Sequence, residues 1–120
     1  MKVAVTAQQG SLDSAVDPRF GRCQYLIFVD TDTNSWEAVP NPALNETGGA
    51  GIVMAQYLAQ EKVDALVTGN IGPNAARGLA ASGIQVYVGA EGTVSEALAA
   101  MKAGQLAQTV GPTVKGHRGM

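Results

Sequence analysis

The strongest constraint on this chain is a change of period near its middle. Before residue 47 the apolar residues come in short strand-like runs; from Gly48 onward helical stretches alternate with short strands. "KVAVTA" sets Val3, Val5 and Ala7 against Lys2, Ala4 and Thr6, the alternation of a first strand. "YLIFVD", Tyr25 to Asp30, is apolar nearly throughout and predicts a central strand covered on both faces. "SWEAVP" ends at Pro40, which suits a sheet edge, because proline cannot donate to a ladder. After "GGAG", "GIVMAQYLAQEK" repeats apolar residues at helical spacing, with Ile52, Ala55 and Ala59 on one row and Val53 and Leu58 beside it. A short buried strand follows at Ala65–Thr68. "GPNAARGLAASG" reads as a helix with Pro73 in its first position and Gly83 at its end. Ile84–Val88 alternates as another strand. "TVSEALAAMKAG" opens on the capping box Thr93 and Glu96 and closes at Gly104.

The order β-β-β-α-β-α-β-α admits few topologies. Three consecutive strands form an antiparallel meander, and the βαβ units that follow need right-handed parallel crossovers that place helices on the sheet faces. The expected fold class is therefore α/β: a three-layer α/β/α domain with a five-stranded mixed sheet in the order 3-2-1-4-5. Residues 1–106 make up this domain. Residues 107–120, with Gly111, Pro112, Gly116 and Gly119, read as a flexible C-terminal tail. In this topology the connections 8–24, 41–51, 69–73 and 89–93 meet at one end of the sheet, and the first strand is a topological switch point, where open α/β sheets bind ligands.

Composition narrows the classes of function. Only 15% of residues are charged and the net charge is −2, which argues against a nucleic-acid binder. The single cysteine, Cys23, excludes an internal disulfide and a Cys-x-x-Cys metal site. There is no signal-like h-region and no apolar run near membrane-spanning length, so the expectation is a cytoplasmic monomer without membrane contact.

The candidate site lies at the switch-point end. "DPRFGRC" closes the long first loop with Arg19, Phe20, Gly21, Arg22 and Cys23. The neighbouring connections supply Gly48, Gly49 and Gly51, then Asn70, Gly72 and Asn74. Glycines let backbone N–H groups approach a ligand, and three helix N-termini point the same way, each with partial positive charge. With the guanidinium groups, and Arg77 within reach, this predicts a site for a bulky anion. The opposing readings are structural: Arg19 and Arg22 pairing with Asp13 and Asp17, Phe20 as a plug for the loop, and Cys23 as a small core hydrophobe.

Three segments carry a resemblance: "LDSAVDPRFGRCQYLIFVD", "GGAGIVMAQYLAQEKVDALVTGNIGPNAARGLAASGIQVYVG" and "TVSEALAAMKAGQL". Over nearly the whole chain, to about Leu106, the sequence resembles the dinitrogenase iron–molybdenum cofactor biosynthesis family, which includes nitrogenase accessory factors and orange proteins. The resemblance implies a ribonuclease-H-like fold and a non-catalytic protein that carries a preformed metal–sulfur cluster. That cargo is the iron–molybdenum cofactor or its precursor, or an anionic molybdenum–copper sulfide cluster, with cluster donor and acceptor proteins as partners. One cysteine cannot hold a cluster as ferredoxins do, with four thiolates. Arginine and backbone N–H groups would hold it, with Cys23 or His117 adding a metal ligand. A Cys23 near Arg22 and the helix N-termini is expected to have a lowered thiol pKa. Family carriers often use a histidine, whereas His117 lies in the tail, outside the matched segments.

Two other binding roles fit the same end of the sheet. A nucleotide or phosphate binder would use the same donors, but "GNIGPN" is neither a dinucleotide fingerprint nor a Walker loop. A protein-interaction module would dock through the basic tail "VKGHRGM". Nuclease chemistry is rejected, because two-metal hydrolysis needs converging carboxylates and "KVAVTA" supplies none.

Overall fold

Alternation in β1 (Lys2–Ala7) decides which layer each residue enters. Val3, Val5 and Ala7 go to one face of the sheet and Ala4 to the other. The computed structural model describes residues 1–46 and 48–109. In them, β1, β2 (Tyr25–Asp30), β3 (Trp36–Pro40), α1 (Ala50–Gln60), β4 (Ala65–Val67), α2 (Pro73–Ala81), β5 (Gln85–Val88), α3 (Val94–Lys102) and β6 (Ala107–Thr109) follow in order. The strands form one sheet in the order β3-β2-β1-β4-β5-β6. The first three are an antiparallel meander, with Val3 opposite Val29 and Phe28 opposite Glu37. β4 and β5 run parallel to β1 and to each other. Central β1, β2 and β4 are almost wholly buried while edge β3 is not, which matches the reading of "YLIFVD" as interior and "SWEAVP" as edge.

The three layers follow from these faces. Ala4, Leu26, Phe28 and Leu66 pack with α1 and α2 through Met54, Leu58 and Leu79. On the opposite face Val3, Val5, Ile27 and Val67 pack with α3 through Val94, Ala97 and Met101. No described helix is long and apolar enough to cross a membrane.

The structure departs from the expected fold in two places. The sheet has a sixth strand, β6, antiparallel to β5 with Val86 opposite Thr109, where the flexible tail was expected to begin. "AQT" has no apolar alternation because it is an exposed edge strand, so no periodic signal announces it. Gly104, at φ 72°, turns the chain out of α3 and back along β5. The rest of the tail, residues 110–120 with His117, lies outside the described residues. The second departure is the buried face of α1. Ile52 and Ala59 are exposed, and the buried row is Ala50, Met54, Ala55 and Leu58. All of these positions are apolar, so the stripe alone was ambiguous; the close packing of α2 selects one face.

That packing sets the geometry of the site. A Cβ on Gly51 would stand 3.0 Å from the Ala75 Cβ, and a Cβ on Gly78 would stand 3.0 Å from the Ala55 Cβ. Small residues thus bring α1 and α2 into close contact on one face of the sheet, with their N-termini side by side.

Candidate functional site

The loop from Ala7 to Tyr25 is anchored before it reaches the site. At the end of β1 the Thr6 carbonyl accepts the Asp17 N–H (2.9 Å), and the Thr6 hydroxyl donates to the Asp17 carbonyl (2.6 Å). The Thr68 hydroxyl lies 2.9 Å from that of Thr6, so two buried threonines at the ends of neighbouring strands hold Asp17. Pro18 then crosses the end of β4. There Asn70 N–H donates to the Pro18 carbonyl (2.8 Å), and Gly69 has no side chain because a Cβ would meet the Pro18 Cα at 2.6 Å. Gly21 packs against the first turn of α1, where its own Cβ position is 3.3 Å from the Gly51 nitrogen. The far end is tied by Asn41, which is buried. Its amide donates to the Cys23 carbonyl (2.8 Å) and the Gly21 carbonyl (3.3 Å), while its oxygen accepts the Ala43 N–H (2.7 Å).

These anchors leave an open cleft of about 430 Å³ at the C-terminal ends of β1 and β4. One wall is the loop, Pro18 to Arg22; the others are the α1 start, Gly49 to Gly51, and Asn70 with the α2 start, Gly72 to Ala75. Arg19, Phe20, Gly21, Arg22, Gly49, Gly51, Asn70, Gly72 and Asn74 are thus brought together, though they span more than fifty residues of sequence. Gly48 is exposed and does not line the cleft, and neither does Cys23. Phe20 lines it while 97% buried in the core beneath α1, which agrees with its reading as a plug.

Among the described residues, the charged side chains lining the cleft are two guanidinium groups, with no carboxylate. Among the described residues, neither α1, with Gly49 at φ 74° as its N-cap, nor α2, with Gly72 as its N-cap and Pro73 next, has a side-chain cap on its first N–H groups. Such groups, left without intrahelical partners, favour anions. α3 differs from the expectation of three converging helix ends. Its Thr93 and Glu96 complete a capping box, it packs on the opposite sheet face, and its carboxylate occupies the position an anion would take. Of the three described helices, two therefore present their N-terminal ends to the cleft. Arg77 does not line it, and donates instead to the Asn74 side-chain oxygen.

The two arginines differ. Arg19 lies on Asp17, with Nε 3.1 Å from Oδ1 and Nη2 3.2 Å from Oδ2, and its backbone N–H also donates to Oδ1 (2.9 Å). The bond to Asp17 raises the Arg19 pKa further, so the group is always charged. Arg22 is exposed and makes no ion pair among the described residues. The pairing reading thus holds for Arg19 with Asp17 and not for Arg22.

Cys23 contradicts the expectation of a lowered pKa. The residue is fully buried in the core cluster under α1, where its thiol donates to the Phe20 carbonyl (Sγ to O, 3.4 Å). Burial, seconded by the Asp17 charge, pushes the thiol up to about 12. Cys23 lies in the loop ahead of β2 and its side chain joins the core cluster under α1, where desolvation outweighs the nearby Arg19. No group of three or more His, Cys, Asp or Glu that could hold a metal ion occurs among the described residues.

Asn41, Thr6 and Thr68 had no sequence signal as parts of the site. Buried polar residues are recognised only once their partners are known, and these partners are distant in sequence.

Comparison with known proteins gives the lineage. Residues 1–104 match the family described as dinitrogenase iron-molybdenum cofactor. The chain belongs to that family. Among solved structures of similar shape is the apo form of the orange protein from Desulfovibrio gigas, 41% identical, with a TM-score of 0.90 over 94% of this chain and 96% of that one. A Thermotoga protein of the DUF35 family, solved by NMR, is 35% identical, with a TM-score of 0.83 over 96% and 98% of the two chains. An uncharacterised protein of Methanocaldococcus jannaschii is 29% identical over 109 residues, 88% of this chain and 89% of that one. The family resemblance read from the three sequence segments is thereby borne out.

Proposed function

We propose that this protein binds and carries an anionic metal–sulfur cluster in the cleft between the "DPRFGRC" loop and the starts of α1 and α2, without transforming it. The observation that carries the reading is the cleft lining itself: among the described residues, two guanidinium groups, two helix N-termini without a side-chain cap and no carboxylate, in about 430 Å³. That volume suits a cargo larger than a single ion. The donors are all N–H groups, which match a cluster complete in its own sulfide and do not match one that needs protein thiolates. Cys23, neutral and sealed beneath α1, is assigned to the core in this reading, and the contacts come from Arg19, Arg22, Gly21, Gly49, Gly51, Asn70, Gly72 and Asn74.

Family membership supports a cluster-related role, and likeness to an orange protein favours molybdenum–copper sulfide over the iron–molybdenum cofactor or its precursor. The ribonuclease-H-like description of the three layers, a cytoplasmic location, a monomeric state and exchange with cluster donor or acceptor proteins belong to the same proposal.

The test is the visible spectrum and metal ratio of protein purified from its native cell, followed by titration of apo protein with tetrathiomolybdate and Cu(I). Bound molybdenum with copper, or with iron, together with a charge-transfer band, is the expected result. Native protein free of all three metals, with an apo form that ignores tetrathiomolybdate but shows a thermal shift with ATP or inorganic phosphate, would move the cleft to the phosphate-binding class.

A further inference from the structure

The pairing of Arg19 with Asp17 has the geometry of a device for holding a donor in place. Asp17 is 99% buried, and its backbone is fastened through both N–H and C=O to Thr6 at the end of β1. Both carboxylate oxygens face the Arg19 side chain, one taking Nε and the other Nη2. The Arg19 side chain nevertheless remains 65% exposed and lines the cleft. A surface arginine paired with a surface carboxylate wanders; one gripped through two N–H groups by a buried, immobile carboxylate does not. The grip uses the Nε edge and leaves Nη1 and the outer hydrogen of Nη2 for a ligand.

We propose that Asp17 is a positioning residue of the anion site. It fixes the Arg19 guanidinium in one orientation at the cleft, so that Arg19 reads the ligand through directed N–H donors while Arg22, unpaired among the described residues, attracts it by charge. This rests on the anion-site reading of the cleft and divides the work of the two arginines. Net charge alone makes the opposite prediction for Asp17. Removing a negative charge beside an anion site strengthens attraction, whereas releasing Arg19 from its grip weakens directed binding.

The experiment is titration of apo protein with tetrathiomolybdate, followed by visible absorption, at low and at high salt. Asp17→Asn is expected to bind roughly fivefold or more weakly at high salt, where charge is screened and hydrogen bonds to the anion remain. Arg19→Gln loses a similar factor, and Asp17→Asn in the Arg19→Gln background loses nothing more. Arg19→Lys, which keeps the charge, the exposure and Asp17 itself, also loses the salt-resistant affinity because lysine cannot make the two-pronged contact. Arg22→Ala loses affinity chiefly at low salt. Tighter binding by Asp17→Asn, additive losses in the double variant, or full affinity in Arg19→Lys overturns the proposal.

A ligand-independent arm is the ¹⁵Nε–Hε NMR signal of Arg19 in apo protein, expected to exchange slowly in the wild type and fast in Asp17→Asn. Slow exchange in a wild type that binds no tetrathiomolybdate overturns the proposal through its anion-site premise. Fast exchange with intact binding overturns it through the clamp.

Discussion

Gly69→Ala tests whether the site depends on the loop being seated on the sheet. The backbone of Gly69 is not in the left-handed region, so alanine fits its φ and the only objection is space. An added Cβ would meet the Pro18 Cα at 2.6 Å, its Cβ at 2.7 Å and its carbonyl oxygen at 3.0 Å. Carbon atoms settle at about 3.5–4.0 Å, so Pro18 has to retreat by roughly 1 Å. The retreat pulls its carbonyl from the Asn70 N–H, now 2.8 Å away, and draws Arg19 and Phe20 out of the cleft wall. Overpacking costs about 1–3 kcal/mol and the lost hydrogen bond about 1 kcal/mol, so stability should fall by about 2–4 kcal/mol. In thermal unfolding that is a Tm lower by on the order of 10 °C. Urea unfolding should show a lower midpoint at an unchanged slope. Tetrathiomolybdate affinity should fall in the same variant. The control is Gly48→Ala, where an added Cβ meets nothing within 4 Å, and stability should stay within about 0.5 kcal/mol of wild type. If Gly69→Ala matches that control and binds the probe normally, Pro18 is not seated on the end of β4 and the account of the cleft fails.

The remaining predictions concern other parts of the molecule. Cys23 keeps its proton up to about 12 in the folded state, while the unfolded thiol ionises near its ordinary value, about 8.5. Its contribution to stability is therefore complete below about pH 8.5 and is lost at about 1.4 kcal/mol per pH unit between there and pH 12. Urea midpoints at pH 8 and pH 10.5 should diverge in the wild type by more than in Cys23→Ala, and an equal drop in both would refute the assignment. Thr93→Ala removes the capping box of α3 and should cost about 1 kcal/mol in unfolding assays while leaving tetrathiomolybdate affinity untouched, because that helix end lies off the cleft. Gly51→Ala places a Cβ 3.0 Å from that of Ala75 and should spread the two helix starts, lowering probe affinity and costing about 1–3 kcal/mol by urea titration. Asn41→Ala strands the buried Cys23 carbonyl and should cost about 1–3 kcal/mol, with faster amide hydrogen exchange across residues 20–24.

What the sequence determined by itself is the order of elements and, through right-handed crossovers, the end of the sheet where the glycines and arginines collect. Periodicity and turn chemistry are local, and "KVAVTA", "YLIFVD" and the Thr93 capping box express them within a few residues. Nine of the eleven candidate cofactor-binding residues line one cleft because strand order and handedness leave their loops nowhere else to go. Tertiary structure alone decided the rest. Whether Cys23 faces the cleft or the core depends on how the loop ahead of β2 is held, with its thiol on the Phe20 carbonyl and its own carbonyl on distant Asn41. Whether Arg19 is free or gripped depends on Asp17 being held by Thr6, eleven positions away, and that pairing has no pattern of its own. The buried row of α1 was set by small residues meeting α2, and β6 by the exposed edge of β5. The physical reason is common to all four. Burial, desolvation and side-chain partnership arise from contacts between segments far apart in the chain, whereas helix and strand periods are written in neighbouring residues.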